Sequence, residues 1–246
     1  MNAVGIIPAR YHSTRLPGKP LLRDTGKYLV QHVWERAAQA RSLDRLVIAT
    51  DDEGICRAAD EFGAEARMTS AEHETGTDRI AEVAADLAHD VVVNIQGDEA
   101  EIEPDAIDTA VRALEEAPDA AMATLACPTT DPRRAADPNV VKVVLDTEGR
   151  ALYFSRAPIP HHRDAAGEPV FLLHVGLYAY RRAFLLEFAR MPQTPLEQAE
   201  KLEQLRALEN GHGIQVAETD YEALGIDTPA DYQAFVTRHR QKGPTP

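Results

Sequence analysis

Cysteine is scarce: Cys56 and Cys127 are the only two in 246 residues, and their spacing suits neither a disulfide framework nor a metal site. Two free thiols in a reducing cytoplasm are the expectation. No apolar run approaches the ~18 residues needed to span a bilayer, and the N-terminus lacks a charged leader with a cleavage site. A cytoplasmic protein without membrane association is therefore expected. Positive charge is also short, with 26 Lys and Arg against 40 Asp and Glu for a formal charge of -14. A surface this acidic repels nucleic-acid backbone and anionic lipid, which argues against both as partners. The standard phosphate motifs are missing as well. Gly18-Lys19 is followed by Pro20 rather than Ser or Thr, so there is no P-loop, and no Gly-x-Gly-x-x-Gly occurs. Without a defensible Ser-His-Asp order or a His-Glu-x-x-His helix, serine or zinc hydrolysis has no support.

What the chain has is a basic loop in a telling place. The apolar run Val4-Gly5-Ile6-Ile7 stops at Pro8 and leads into Ala9-Arg10-Tyr11-His12-Ser13-Thr14-Arg15-Leu16-Pro17-Gly18-Lys19-Pro20. Short apolar runs read as parallel-type strands, and ligands bind beyond their carboxyl ends. Cations and hydroxyls on a proline-stiffened turn there suit a polyphosphate, although an ordinary solvated turn also fits.

Strand-like and helix-like segments alternate through the first half. Leu46 to Ala49, Glu65 to Met68 and Val91 to Ile95 read as strands, and Tyr28 to Ala40, Glu53 to Phe62, Thr77 to Leu87 and Pro104 to Glu116 as helices. This order predicts an α/β fold with a mainly parallel sheet between helical layers. The second half is richer in strands. Val140 to Leu145 and Ala151 to Phe154 flank a turn, Phe171 to Tyr180 reads as one long strand, and Ile214 to Ala217 as the last. Thr194-Pro195-Leu196-Glu197 opens a helix expected to run to Asn210-Gly211, and Asp227-Thr228-Pro229 starts a final helix ending near Arg240.

Asp98 follows the strongest strand in Gln96-Gly97-Asp98-Glu99. A carboxylate beside a phosphate cradle calls for a cation between them, and Mg²⁺ fits, being held by one or two carboxylates plus phosphate oxygens and water. A turn or a helix cap is the other reading. Asp227 is the candidate second ligand, and from local sequence it reads equally as a plain helix start. His161-His162 looks more like a solvated loop than a metal pair, and His174 like a core histidine. Ser155-Arg156 offers a fork for a carboxylate.

These segments resemble the CMP-3-deoxy-D-manno-octulosonate (CMP-Kdo) synthetases, a cytidylyltransferase family. The matching stretches are Ile7 to Tyr11, Ser13 to Pro20, Ala49-Thr50-Asp51, His73 with Gly76 to Arg79, and Asn94 to Glu99. Val141 to Val144, Leu152 to Ala157, His174 to Tyr178, Leu202 to Arg206 and Asp227 to Pro229 complete the series, in order along nearly the whole chain. The resemblance implies a Rossmann-like nucleotidyltransferase fold with a β-rich insertion. It implies a single domain over 1–240 with a sugar-binding and dimerisation subregion at about 128–190, and 241–246 as a disordered tail. It implies a homodimer that uses CTP and Kdo, with Mg²⁺, for lipopolysaccharide synthesis. Under it, Arg10, Arg15 and Lys19 hold the triphosphate and Asp98 and Asp227 the metal. Pro8, Ala9, Gly76, Thr77 and Arg79 lie by the nucleotide. Gln96, Arg156, His174, Tyr178, Glu203 and Gln204 bind the sugar acid. The chain departs from the pattern at Ala100 and Tyr28, each in place of a usual proline, and over Pro160 to Pro169. An 8-amino-Kdo or nonulosonic acid transferase, and a non-catalytic nucleotide-binding regulator, are the alternatives.

Overall fold

The computed structural model describes residues 1–13, 15–163 and 169–242; Thr14 of the basic loop, 164–168 of the departing segment and the last four tail residues lie outside them. The strands are β1 (Ala3–Ala9), β2 (Arg45–Thr50), β3 (Glu65–Met68), β4 (Val91–Asn94), β5 (Ala120–Thr129), β6 (Lys142–Leu145), β7 (Ala151–Ser155), β8 (Phe171–Arg181) and β9 (Gly213–Glu218). The helices are α1 (Leu29–Ala37), α2 (Glu53–Glu61), α3 (Gly76–Ala85), α4 (Pro104–Glu116), α5 (Pro132–Ala136), α6 (Arg182–Phe188), α7 (Pro195–Glu200), α8 (Gln204–Glu209) and α9 (Pro229–Lys242). The last helix thus runs two residues past Arg240.

All strands join one sheet, ordered β3-β2-β1-β4-β8-β5-β9, with β6 added against β8 and β7 against β6. β3, β2, β1 and β4 are mutually parallel, while β8 runs antiparallel to both β4 and β5. From β1 the chain winds outward through β2 and β3, then returns to β4 on the other side of β1. That reversal opens a crevice beyond the carboxyl ends of β1 and β4, where α/β sheets bind ligands.

Successive residues of the buried strands feed opposite helical layers, as a period of two requires. Val91 and Val93 join the cluster that includes Leu29, Val33, Ile107 and Phe235, whereas Val92 joins Ile80, Phe188 and Leu205. Pro8 sits within β1 at a place where its missing N–H costs no ladder bond. Pairing with β4 ends at Ile6 and Asn94, and the Pro8 carbonyl faces Gly97 instead.

Two features depart from the sequence reading. Nothing in the periodicity of 120–129 marks a strand, because its run of alanines disfavours one, yet β5 is buried between β8 and β9. The helix expected from Thr194 to Asn210 is broken. Lys201 takes left-handed φ/ψ of 56° and 47°, ending α7 before α8 begins. The break has an electrostatic reason. Nine residues along a continuous helix is an axial separation of ~13 Å. With the chain folded back, the Arg206 guanidinium forks onto Glu197 at 2.9 and 2.5 Å, both side chains buried, and lies over the Phe188 ring.

Removing one member of a buried ion pair leaves an uncompensated charge, at a cost of roughly 3–5 kcal/mol. Glu203 at 3.3 Å remains as a partial partner. Glu197→Ala is therefore expected to lose about 3 kcal/mol in urea denaturation, and a loss below 1 kcal/mol would show the pair does not hold the α7–α8 corner.

Candidate active site

The basic loop is folded by its own small contacts. Gly18, at φ 65°, donates its N–H to the Tyr11 carbonyl at 3.2 Å, and Leu16 is buried in the core beneath. Gly supplies the left-handed conformation that other residues resist. With Leu16 anchored, Arg10, Ser13, Arg15 and Lys19 line a cavity of about 460 Å³ beyond β1, together with Pro8, Ala9 and Pro20. The other wall comes from His73 to Gly76 at the start of α3, from Gln96 to Asp98 after β4, and from Asp227.

Gly97 allows this closure, since a Cβ there would lie 2.5 Å from the Pro8 carbonyl oxygen. Asp227 arrives through the backbone: the Ile226 N–H donates to the Asp98 carbonyl at 3.1 Å, with Ile226 itself in the core. Asp231 then caps the start of α9 by accepting from the N–H groups of Asp227 and Thr228. Two carboxylates 129 positions apart thereby meet one ammonium. Lys19 Nζ donates to Asp98 Oδ2 at 2.8 Å and to Asp227 Oδ1 at 3.2 Å, and Arg15 adds a bond to Asp227 Oδ2 at 3.0 Å.

This arrangement fits a divalent ion. The carboxylates already share one cation and supply hard oxygen donors, and among the described residues no group of three His, Cys, Asp or Glu side chains could enclose a metal. An ion held by two carboxylates must complete its shell from water and a bound phosphate, the habit of Mg²⁺.

Other expected residues divide into two groups. Arg79 lines the cavity, but its guanidinium bonds Asp51 Oδ2 at 2.8 Å and Thr69 Oγ1 at 2.5 Å, bracing α3 against the loop after β2. Thr77, the second residue of α3, is buried and donates to Glu203 Oε2 at 2.5 Å, facing Glu203 rather than the basic loop. Gln96 bridges both regions, lining the cavity and donating to the Gly176 carbonyl at 3.2 Å. Behind it stand His174 and Tyr178 of β8, with ring centroids 5.4 Å apart, and Glu203 and Gln204 at the start of α8.

That neighbourhood is poorly solvated. Burial pushes the His174 imidazole down to about 3, so it stays neutral against the Thr124 hydroxyl at 3.0 Å. Burial also raises the Tyr178 phenol, with the nearby Glu203 charge adding to it, and raises Glu203 itself. Gln204 is buried with its Nε2 lacking a hydrogen-bond partner among the described residues.

Arg156 bonds backbone carbonyls and does not line the cavity. Its Nε donates to the Glu200 carbonyl at 2.7 Å and its NH1 to the Pro138 carbonyl at 2.9 Å. A cation on the last carbonyls of a helix caps its negative end, and here it caps α7 instead of presenting a fork to the cavity. His161 and His162 lie exposed, away from the cavity walls.

Glu99 and Tyr221 carry no chemical signal in the sequence beyond an acid following Asp98. Glu99 is buried and accepts the Tyr221 hydroxyl, and burial plus the neighbouring Asp98 charge push its carboxyl up to about 7.

The sheet order and the phosphate-sized cradle over a shared-cation carboxylate pair define a nucleotidyltransferase on a Rossmann-like fold. A family model described as cytidylyltransferase matches residues 4–216. The 3-deoxy-manno-octulosonate cytidylyltransferase of Solibacter usitatus is 54% identical over 230 residues, 94% of this chain and 91% of that protein. Its counterpart from Geobacter sulfurreducens is 53% identical, covering 97% and 99%. A solved CMP:2-keto-3-deoxy-manno-octonic acid synthetase complexed with CTP superimposes with a TM-score of 0.94 at 43% identity, over 98% of this chain and all of that one. The chain belongs to the cytidylyltransferase family, in its 3-deoxy-manno-octulosonate branch.

A carboxyl raised when folded stabilises the protein below its unfolded value, and that stability is lost as pH climbs through the folded value. For Glu99 the window is pH 4.5 to about 7. Glu99→Gln cannot ionise, so in chelator its stability relative to wild type should rise by roughly 3 kcal/mol between pH 4.5 and 8. Parallel stability curves for the two proteins in urea would contradict this.

Proposed function

We propose that the protein transfers the cytidylyl group of CTP to the anomeric hydroxyl of 3-deoxy-manno-octulosonate, releasing pyrophosphate. The observation that carries this reading is the convergence of Asp98 and Asp227 on one cation at the mouth of the basic loop. The named relatives supply the nucleotide and the sugar.

Phosphoryl transfer asks a protein mainly for alignment and charge neutralisation. Arg10, Arg15 and Lys19 bring positive charge to the β- and γ-phosphates, where negative charge builds as pyrophosphate departs. Proline and the bonded turn hold these cations in place before the reaction, so little reorganisation is needed. Asp98 and Asp227 would hold Mg²⁺, which when bound polarises the α-phosphate. Gln96 spans the nucleotide and sugar regions and aligns the incoming hydroxyl. The neutral His174, the Tyr178 hydroxyl, Glu203 and the unpartnered Gln204 amide suit a polyhydroxy acid, because they offer both donors and acceptors.

A homodimer is part of this reading. The β6–β7 hairpin carries an apolar groove between Val143, Leu145, Leu152, Ile159, Val170 and Leu172, and Leu152 and Val170 are more than half exposed. Exposed apolar patches of this kind mark association surfaces. No helix among the described residues is long and apolar enough to cross a membrane.

Pyrophosphate release, screened across nucleoside triphosphates and acid sugars with and without Mg²⁺, is expected to peak for CTP with 3-deoxy-manno-octulosonate and to vanish in chelator. A higher rate with the 8-amino analogue or a nonulosonic acid would reassign the sugar, and CTP binding without turnover would make the protein a regulator. In the same assay Asp98→Asn is expected to lower kcat at least ~10²-fold, the size of losing one charge-stabilising group. A rate like that of the wild type would remove Asp98 from the chemistry. Sedimentation of the wild type is expected at twice the mass of one chain, with Leu152→Asp shifting it to one; an unchanged dimer would place the interface elsewhere.

A further inference from the structure

Two residues outside the cavity wall tie its carboxylates together. Glu99 and Tyr221 are 122 positions apart, both buried, and the Tyr221 hydroxyl donates to Glu99 Oε2. The backbone of Leu224 lies close enough to favour the charged form of the same carboxylate. One residue earlier, the Asp98 carbonyl accepts the Ile226 N–H at 3.1 Å. The loop after β4 and the loop before α9 are thus stitched twice, Glu99 to Tyr221 and Asp98 to Ile226. The side chains that follow from these stitches, Asp98 and Asp227, project together onto Lys19.

Each loop has a further anchor, Glu101 on Arg238 at 2.6 Å and Glu222 on Arg134 at 2.6 Å, but neither of these pairs joins one loop to the other. Asp227 follows a strand-free stretch, 219–226, and its own side chain bonds the Arg15 and Lys19 cations of the basic loop. Gln96, Glu99 and Tyr221 surround one small internal void behind the cavity, against Gly176 of β8, so the stitch lies under the nucleotide floor.

We propose that the Glu99–Tyr221 pair is the latch that sets the distance between Asp98 and Asp227, making both positioning residues for the metal. Neither touches substrate. The role rests on reading Asp98 and Asp227 as the residues that hold a divalent ion. The phenol donates to one oxygen of the Glu99 carboxylate, a group that is acceptor-only when ionised. Partners behind metal ligands orient them, and losing one lowers metal affinity by ~10–100-fold.

The test measures Mn²⁺ binding by electron paramagnetic resonance, with the full-length protein and CTP present and no sugar, so turnover plays no part. Tyr221→Phe keeps the ring packing and removes the hydroxyl, and should weaken Mn²⁺ binding about 10-fold. Glu99→Ala should do the same, and the double variant no worse than either. Glu99→Gln keeps an acceptor for Tyr221 and should stay within about 3-fold of wild type, the rescue a latch requires. CTP affinity in chelator should be unchanged throughout. Wild-type Mn²⁺ affinity in Tyr221→Phe, Glu99→Gln as impaired as Glu99→Ala, or an equal loss of CTP affinity in chelator would each overturn the latch. A wild-type protein that binds no Mn²⁺ with CTP would overturn the metal reading and the latch together.

Discussion

The site depends on one electrostatic demand: two carboxylates brought together from distant parts of the chain must share positive charge. Asp98 and Asp227 lie close enough to accept bonds from the same ammonium, and neither tolerates the other without it. In this structure Lys19, with Arg15 alongside, supplies the charge. The same pair suits a divalent ion when nucleotide phosphates bring further oxygens. Against a formal charge of -14, this corner is where anionic substrate meets cations held ready.

The rest of the fold serves that meeting. The chain reversal between β1 and β4 opens the crevice, Gly97 lets the two strand ends approach, and the Ile226–Asp98 backbone bond carries Asp227 across. α3 is braced by Arg79 on Asp51, so its first turn stays in the cavity wall. The side proposed to take the sugar is built differently. Its groups sit on β8 and at the α7–α8 corner, a corner that exists because a buried Arg206–Glu197 pair folds the helix in two. Substitution of the usual proline by Ala100 leaves the loop after Asp98 held by packing, since Ala100 is buried. At Tyr28 the hydroxyl donates to Glu61, an exposed contact far from the cavity.

Much of the frame was legible because it rests on local pattern. Apolar runs at β1 and β4, punctuated by Pro8 and Gly97, marked buried strands that end at a site. Lys19, Arg15 and Asp98 could be named from their residue types at those ends. What could not be read was long-range. Local sequence left Asp227 as an ordinary helix start, and only the family resemblance and then the fold joined it to Asp98. The alanines of β5 hide a strand that tertiary pairing imposes. Arg156 looked like a carboxylate fork, but nearby helix carbonyls took its donors. The Glu99–Tyr221 bond spans 122 positions, and although Glu99 closes the motif begun at Gln96, nothing in the sequence ties it to Tyr221.

The most direct test is an anomalous difference map from crystals of the protein grown with CTP and Mn²⁺. The account predicts a single peak between the phosphates and the acidic pair, at metal–oxygen distances of ~2.0–2.2 Å from both Asp98 and Asp227. A peak bonded to only one of them, or to neither, would contradict the shared-cation account.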